Sequence, residues 1–517
     1  MKDKIFSFLK DNIILCIMAA FYCVYMVCRM FLNGPWYDEL YTYYYFISRG
    51  PAYAAIHWPV PNNHVGYSVI SACLDIFKNP YIRLRGISVA ASVANLILVY
   101  VLSHKFVRKE LALIAAGIYA SAGMVCSLGI QGRGYTLAVT CMLLATISMY
   151  HICVGHKEKR YLVGFVMGLT YGLYILPSSV YWVLPVCCTG GFFLLIKKEW
   201  KKLISLVLWA LLAAVITFGL YALIWLAIGA NLMSDDPTNA FYGVYQVNII
   251  LKAPFASMKT GIDYMLATPY IQSIERSAVI TGLWEYLSRV YDQFFASMGN
   301  VLVILQITGI AFSGFVLIDT LRKDKDENKI FISSFILLLL LFVPIILIVQ
   351  SVQPYLRVLG FMMVPFAVFV GYAIDTILHR IGNDKKVYII APRILLAAVL
   401  ILGVCLLASK GHRMPLADRE NDIHECVDEA TAKQIESIYY TDDFQKYVLK
   451  FYYDADPFET SLEEAQFVMV SSEMKDADYN AYIWPMLVCY DEDMLEYIDM
   501  NFDKVSEGSK YTLLKRK

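Results

Sequence analysis

Two adjacent carboxylic acids, Asp38 and Glu39, follow the first long apolar segment of the chain. They stand in a stretch rich in aromatic residues, close to where a lipid phase would end. A carboxylate at the edge of a medium of low dielectric constant can exchange a proton near neutral pH, as a general base does. For the pair by itself, the simpler interpretation is a solvated acidic marker of the membrane boundary.

The same stretch contains two histidines. His64 follows Asn62 and Asn63, and His57 precedes this group. His64 could orient a hydroxyl group, bind a metal ion or transfer a proton, and a hydrogen bond to the backbone is the simpler alternative. A divalent metal ion is a second hypothesis, although no spacing requires one. Its candidate ligands are Asp38, Glu39, His57 and His64, with Asp235 and Asp236 from a later segment.

Three arginines stand at the ends of apolar segments. They are Arg85, Arg133, which is followed closely by Tyr135, and Arg357. A guanidinium group binds phosphate oxygens through two parallel hydrogen bonds, so arginine at a membrane boundary suits a phosphate ligand. The alternatives are a side chain that extends to the membrane surface and an ion pair with an acidic loop residue.

The composition indicates that the chain is embedded in a lipid bilayer. The chain has 517 residues, of which 58% are hydrophobic and 17% charged, and its mean hydropathy of +0.54 is too high for a soluble globular protein. Its formal net charge of zero argues against a nucleic-acid ligand. We expect a polytopic α-helical membrane protein with about eleven spanning helices. The apolar segments are 12–32, 84–103, 110–128, 135–153, 161–176, 180–196, 203–229, 299–320, 330–350, 358–378 and 393–409.

Basic loops alternate with non-basic loops, which predicts the orientation. By the positive-inside rule the N-terminus is cytoplasmic and the C-terminal segment is outside the cell membrane. The first apolar run is long and no small-x-small cleavage site follows it, so we expect the first helix to be retained rather than cleaved. Long loops at 33–83 and 230–298 then face outward, where we expect helices along the membrane surface. Asp38, His64, Arg133 and Arg357 are thereby predicted to share the outer face.

The chain is predicted to have two domains, a membrane domain over 1–409 and a soluble α/β domain over 410–517. The second part is acidic and alternates strand-like runs, at 436–440, 466–470 and 511–514, with helix-like runs at 444–453 and 491–502. Most of the twelve cysteines lie in apolar segments, where they act as small hydrophobic residues. Cys426 and Cys489 fall in the outer domain, where either a disulfide or two free thiols is chemically permitted.

The order of these motifs resembles that of the GT-C glycosyltransferases. Within them the chain is similar to the family 39-like and RgtA/B/C/D-like branch, relatives of protein mannosyltransferases and aminoarabinose transferases. The resemblance extends to about residue 380 and is densest in the first 150 residues. Its motifs are Trp36-x-Asp38-Glu39, Asn62-Asn63-His64, Arg85-x-x-Ser88, Gln131-Gly132-Arg133-Gly134-Tyr135 and an arginine near the last spans, here Arg357.

The resemblance implies transfer of a sugar from a polyprenyl-phosphate donor to a cell-envelope acceptor, with inversion, on the outer face of the plasma membrane. Asp38 is then the general base, with Glu39 as its neighbour in the motif. Arg133 and Arg357 neutralise the departing lipid phosphate, and His64 positions a substrate; Tyr135, Arg85 and His57 complete the predicted substrate site. The acceptor could be a polysaccharide, a teichoic acid, a lipid or a protein, and some members of the family use a divalent metal ion.

The residues alone leave two other classes of membrane protein possible. A transporter or flippase of a lipid-linked precursor would also be polytopic, but usually places its ionisable groups near the midplane of broken helices, often in repeated halves. A membrane scaffold without activity would leave the outer-face residues unexplained.

Overall fold

A computed structural model of the chain describes residues 11–58, 62–155, 159–232, 244–267, 273–323, 325–381, 385–409, 418–440, 443–472 and 491–517. The candidate membrane-spanning helices and the short helices between them are α1 (Ile13–Leu32), α2 (Tyr37–Tyr45), α3 (Pro51–Ile56), α4 (Val65–Ala72), α5 (Pro80–Ser103), α6 (Lys109–Ser121), α7 (Gly123–Ile130), α8 (Tyr135–Cys153), α9 (Lys159–Ile175), α10 (Val180–Ile196), α11 (Trp200–Gly229), α12 (Val244–Lys252), α13 (Pro254–Ala267), α14 (Arg276–Thr281), α15 (Leu283–Asp292), α16 (Gly299–Arg322), α17 (Glu327–Gln350), α18 (Met363–Ile381) and α19 (Lys385–Ala408).

All eleven predicted apolar segments form helices, but they do not all have the length of a span. Within the described ranges, nine helical stretches are long and apolar enough to cross a membrane. The third predicted segment is broken into α6 and α7, which are bent by 64° and together make a tenth candidate. The fifth, α9, has 17 residues, short of the roughly 20 that a perpendicular helix needs.

The break between α6 and α7 is held by backbone hydrogen bonds. Ala122 has an extended conformation, and the N–H groups of Gly123 and Met124 donate to the carbonyls of Phe294 and Gln293, each at 2.7 Å. These bonds satisfy donors that the first turn of a new helix leaves exposed. The broken helix is therefore a defined feature of the fold.

The chain divides into two compact units. The first consists of Met1–Phe31 and Thr42–Arg413, and the second of Leu32–Tyr41 and Met414–Lys517. The division assigns the short segment that contains Asp38 and Glu39 to the second unit, and the rest of the membrane region to the first.

In the first unit, glycines let α11 and α13 cross at close range. A Cβ atom added to Gly229 would lie 1.8 Å from the carbonyl oxygen of Ser257, and one added to Gly261 would lie 2.2 Å from that of Trp225. Small residues permit this approach of two backbones. The contact ties the predicted outer loop at 230–298 to the end of a long membrane helix.

That loop contains the short helices α12 to α15. Several large apolar side chains on it are exposed, among them Leu251 at 74%, Phe255 at 85% and Leu266 at 74%. An interfacial helix would bury such side chains in lipid. The placement of this loop along the membrane surface stays a prediction.

The second unit contains a five-stranded sheet and four described helices beyond residue 413. The elements are α20 (Asp418–Cys426), α21 (Glu429–Ala432), β1 (Ser437–Tyr439), α22 (Asp443–Tyr453), β2 (Phe458–Glu459), β3 (Phe467–Ser471), α23 (Glu492–Asn501), β4 (Phe502–Glu507) and β5 (Tyr511–Arg516). The strand order is β2-β1-β3-β5-β4, with β1 parallel to β2 and β3, and β5 antiparallel to β3 and β4. This sheet with its helices agrees with the predicted α/β class. Cys489 lies outside the described residues.

Candidate functional site

Arg133 lies in the turn that joins α7 to α8. The turn closes with a hydrogen bond of 2.7 Å from the N–H of Arg133 to the carbonyl of Gln131. Ser88 of α5 supports it, because its Oγ lies 2.5 Å from the Gln131 carbonyl oxygen and 3.2 Å from that of Arg133. A Cβ at Gly132 would come within 2.3 Å of Leu84, so glycine lets the turn pack directly against α5.

The Arg133 guanidinium is buried, with 4% of the residue exposed. Its Nη1 donates to Thr42 Oγ1 at 2.7 Å and to Asn62 Oδ1, and its Nη2 lies 3.0 Å from His64 Nε2. Burying a positive charge is costly unless its N–H groups are hydrogen-bonded, and Thr42 and Asn62 provide acceptors for Nη1. The charge is therefore fixed in orientation before any ligand arrives.

Both ring nitrogens of His64 contact N–H donors. Nε2 faces Arg133, and Nδ1 accepts from the backbone N–H of Gly134 at 2.8 Å. Burial, and then the charges of Arg133 and Arg357, hold the pKa of His64 well below its usual value, so the ring is neutral near pH 7. A neutral imidazole has one lone pair, and here that lone pair is directed at an N–H group whichever tautomer forms.

This arrangement does not suit His64 as a metal ligand, because its lone pair is already engaged. Among the residues that the structure describes, no group of three or more His, Cys, Asp or Glu side chains is placed to hold a metal ion. Asp235 and Asp236, two of the candidate ligands, lie outside the described residues. Metal binding by Asp38, Glu39 or His57 stays a hypothesis.

Tyr135 and Arg357 extend the same cluster. Tyr135 is the first residue of α8, and its ring packs edge-on against His64 with 4.9 Å between the ring centres. Its hydroxyl accepts a hydrogen bond of 3.0 Å from Arg357 Nε. Arg357 comes from the 3₁₀ helix Leu356–Met362, far along the chain. The fold thus brings together four predicted site residues, His64, Arg133, Tyr135 and Arg357, which we call the arginine–histidine cluster.

A narrow, partly open cleft lies beside the cluster. Tyr135 and Arg357 form part of its wall, and Trp182 and Phe361 add apolar surface. Ser178 and Ser179 contribute polar groups from the turn before α10. A partly open cleft with an arginine in an apolar wall can accept a ligand that has both a charged and an apolar part.

Arg85 has a different set of contacts. It is fully buried, and its Nη1 donates to the carbonyl of Met30 at 2.9 Å. That carbonyl belongs to the last turn of α1, where carbonyl groups have no partner within the helix. The contact assigns Arg85 a role in fixing the end of α1, and its predicted contact with substrate is untested.

His57 packs against aromatic rings, with its ring centre 4.6 Å from that of Tyr53 and 5.8 Å from that of Phe46. Its carbonyl accepts a hydrogen bond of 2.9 Å from Asn63 Nδ2, which also donates to the carbonyl of Ala54. Asn63 thereby fixes the backbone immediately before His64. His57 contributes to that loop, and whether it also contacts substrate is untested.

Asp38 and Glu39 occupy the first turn of α2. Glu39 is fully buried, and its Oε2 accepts a hydrogen bond of 3.0 Å from the backbone N–H of Trp36, the residue that precedes the helix. This is one half of a capping box, and it gives Glu39 a structural role. Asp38 is half-buried. Of the two, Asp38 is the better candidate for chemistry.

The segment of Asp38 packs within the second unit. The ring of Tyr37 lies 6.1 Å from that of Phe444 and 5.8 Å from that of Tyr447, both on α22, and the ring of Tyr41 lies 6.5 Å from that of Tyr447. These aromatic contacts explain why the segment belongs to the second unit.

Thr42 and Asn62 are site residues that the sequence did not assign. Asn62 stood next to the named histidine, and its side-chain oxygen proves to accept from Arg133. Thr42 lies in a run of tyrosines, and nothing in the sequence indicates the role of its hydroxyl. Such a contact depends on how α2 packs in three dimensions.

The fold has counterparts among solved structures, although no family model and no curated protein sequence matches the chain. ArnT from Cupriavidus metallidurans, solved with undecaprenyl phosphate, is 11% identical; the match covers 98% of both chains with a TM-score of 0.56. The Archaeoglobus fulgidus oligosaccharyltransferase, in a complex with Zn and sulfate, is 14% identical; the match covers 96% of this chain and 72% of the other, with a TM-score of 0.51.

The archaeal enzyme AglB from Archaeoglobus fulgidus, with an inhibitory peptide and a dolichol-phosphate, is 12% identical. That match covers 96% of this chain and 73% of the other, with a TM-score of 0.51. Identities this low establish the fold alone. The chain therefore shares its fold with ArnT and with the Archaeoglobus fulgidus oligosaccharyltransferase.

Proposed function

We propose that this protein is a membrane glycosyltransferase that moves a sugar from a polyprenyl-phosphate donor to an acceptor of the cell envelope. The reaction takes place on the outer face of the plasma membrane and inverts the configuration at the sugar carbon. The N-terminus is cytoplasmic, and the domain at 410–517 is outside.

One observation carries this proposal. Arg133 and Arg357, which are far apart in the sequence, are linked through His64 and Tyr135 beside the cleft. The N-terminus of α8, which carries a partial positive charge, begins at Tyr135. Fixed positive charge of this kind stabilises a phosphate on which negative charge develops during a reaction.

The chemistry of the donor follows from the same cluster. As the bond between the sugar carbon and the phosphate oxygen breaks, its electron pair goes to the lipid phosphate, whose added charge Arg133 and Arg357 offset. The apolar part of the cleft suits the lipid chain. The lipid phosphates in the ArnT and AglB structures support a donor of this class for the present chain.

Asp38 is the general base of the proposed reaction. Its carboxylate accepts the proton of the acceptor hydroxyl as that oxygen attacks the sugar carbon from the side opposite the phosphate. Glu39 maintains the start of α2 through its bond to Trp36. His64 and Tyr135 act by positioning the two guanidinium groups.

The proposal is tested by supplying the purified protein, in lipid nanodiscs, with a panel of polyprenyl-phosphate hexoses and pentoses and envelope acceptors. Mass spectrometry then follows both the glycosylated acceptor and the released polyprenyl phosphate. We expect both products from at least one donor, in equal amounts. Absence of product with every donor, together with movement of the donor between leaflets in proteoliposomes, would overturn the proposal in favour of a flippase.

A further inference from the structure

An acid and a histidine lie on one face of α20 in the second unit. Glu420 and His424 are four residues apart, the spacing that places two side chains one above the other on a helix. His424 Nε2 lies 3.9 Å from Glu420 Oε1. The Glu420 side chain is 1% exposed and that of His424 is 29% exposed, so the pair reaches solvent through the imidazole.

The hydrogen bonds of Tyr453 determine which nitrogen of His424 carries the hydrogen. The hydroxyl of Tyr453, on α22, donates its single hydrogen to the carbonyl of Val427 at 2.7 Å. The same oxygen lies 2.6 Å from His424 Nδ1, so Nδ1–H must be the donor in that contact. The lone pair of a neutral His424 is therefore on Nε2, which faces Glu420.

The Glu420 carboxylate is incompletely compensated. Tyr452 of α22 donates a hydrogen bond to its Oε1. Its Oε2 is buried and accepts no hydrogen bond from the residues that the structure describes. A buried carboxylate oxygen without a donor is unfavourable. A nitrogen lone pair and a buried carboxylate thus face one another, an arrangement that a cation would stabilise.

We propose that Glu420 and His424 form a binding site for a divalent transition-metal ion such as Zn²⁺ in the C-terminal domain. Imidazole nitrogen and carboxylate oxygen bind Zn²⁺ at about 2.0–2.2 Å, so two ligands of one ion lie at most about 4.4 Å apart. The observed 3.9 Å is within that limit. Water reaches the ion from the exposed side of His424, and Tyr453 holds the imidazole in the ligating tautomer.

A second acid–histidine pair in the chain provides a comparison. Asp375 and His379 of α18 have the same spacing, with His379 Nε2 at 3.7 Å from Asp375 Oδ2. Here Arg108 Nε donates to Asp375 Oδ1 at 2.8 Å, and His379 Nε2 lies 3.1 Å from the hydroxyl of Tyr388. The arginine already neutralises this carboxylate, so the pair gains less from a metal ion.

The test is a Zn²⁺ titration of the full-length protein in detergent, after treatment with a chelator and above neutral pH, where imidazole is neutral. Calorimetry measures binding, and Co²⁺ substitution reports the ligands through its visible absorption. Glu420→Gln, which keeps an acceptor for Tyr452, and His424→Gln should each weaken binding at least about ten-fold, and Tyr453→Phe by about 10- to 100-fold. His379→Gln should leave it unchanged.

Two results overturn this proposal. One is absence of Zn²⁺ binding to the wild-type protein. The other is binding that survives in both Glu420→Gln and His424→Gln, which would assign it to other groups among the twelve cysteines and eight histidines. Circular dichroism and gel filtration of each variant confirm that a loss of binding is not a loss of fold.

Discussion

Arg133 Nη2 lies 3.0 Å from His64 Nε2, so a charged guanidinium and a neutral imidazole are in direct contact in a buried site. The imidazole helps to orient the Arg133 guanidinium and, because it is neutral, does not offset the positive charge. A guanidinium held by neutral acceptors keeps its full attraction for an anion, whereas one held by a carboxylate would lose part of it. This relationship is the basis of the proposed phosphate site.

Replacement of Arg133 by alanine should weaken binding of a polyprenyl-phosphate sugar by about 10- to 100-fold, the value of one or two charge-assisted hydrogen bonds. Binding to nanodisc-embedded protein is measured with a fluorescent donor analogue. Arg49→Ala is the matched control, because Arg49 is exposed and bonds to Tyr53. Equal donor affinity in Arg133→Ala and Arg49→Ala would contradict the assignment.

The His64 environment predicts a dependence of stability on pH. The folded-state pKa of His64 is lowered by burial and by the neighbouring arginines, so below about pH 6.5 the unfolded chain takes up a proton that the folded protein does not. The stability that neutral His64 contributes is therefore complete above about pH 6.5 and is lost as the pH falls, by at most about 1.4 kcal/mol per pH unit.

The melting temperature of His64→Gln, compared with wild type across this range, measures the effect. The variant should be less stable than wild type at neutral pH, and the difference should shrink on acidification. His104→Gln, at an exposed position, should follow the wild-type curve. A difference that is constant with pH would show that His64 does not titrate in this way.

Tyr135→Phe removes the hydroxyl that accepts from Arg357 and keeps the ring that packs against His64. We expect kcat/KM for sugar transfer to fall about ten-fold, as for a lost hydrogen bond to a charged group. Tyr355→Phe is the control, since the Tyr355 ring contacts the Arg357 guanidinium at 5.0 Å and would remain. Activity that falls equally in both variants would rule out a specific role for the Tyr135 hydroxyl.

Gly132→Ala should destabilise the protein by about 1–3 kcal/mol, because the added Cβ would lie 2.3 Å from Leu84 Cδ1 and 2.9 Å from the Leu84 carbonyl oxygen. Thermal unfolding in detergent gives the measurement. Gly219→Ala in α11, where nothing lies within 4 Å of the added atom, should be neutral or stabilising. Wild-type stability of Gly132→Ala would mean that the turn at Arg133 tolerates movement away from α5.

The sequence predicted the helices well, because apolar runs of span length leave the chain little choice in a bilayer. It did not predict the break at Ala122, since the apolar run continues through it and the bend depends on carbonyls at 293 and 294. The sequence also did not predict the edge strand β4. Five of its six residues are at least partly exposed, so the strand lacks an apolar pattern.

For the site, the sequence named the four members of the arginine–histidine cluster through charge, placement at helix ends and motif order. It could not show that Arg85 contacts the end of α1. Arg85 and Arg133 both stand at helix ends, and only the packing of the fold separates their roles. The contact of Thr42 with Arg133 could not be predicted for the same reason. Glu39 carried a recognisable signal, since an acid three residues after a helix boundary is the pattern of a capping box.

The central claim is tested most directly by Asp38→Asn in the sugar-transfer assay, with donor binding measured on the same preparation. The proposed role as general base predicts that transfer is lost while donor affinity stays within about two-fold of wild type, because the substitution keeps the shape of the side chain and removes its basicity. Asp75→Asn, which changes an exposed acid paired with Arg83, should retain full activity. Full turnover by Asp38→Asn would contradict the account.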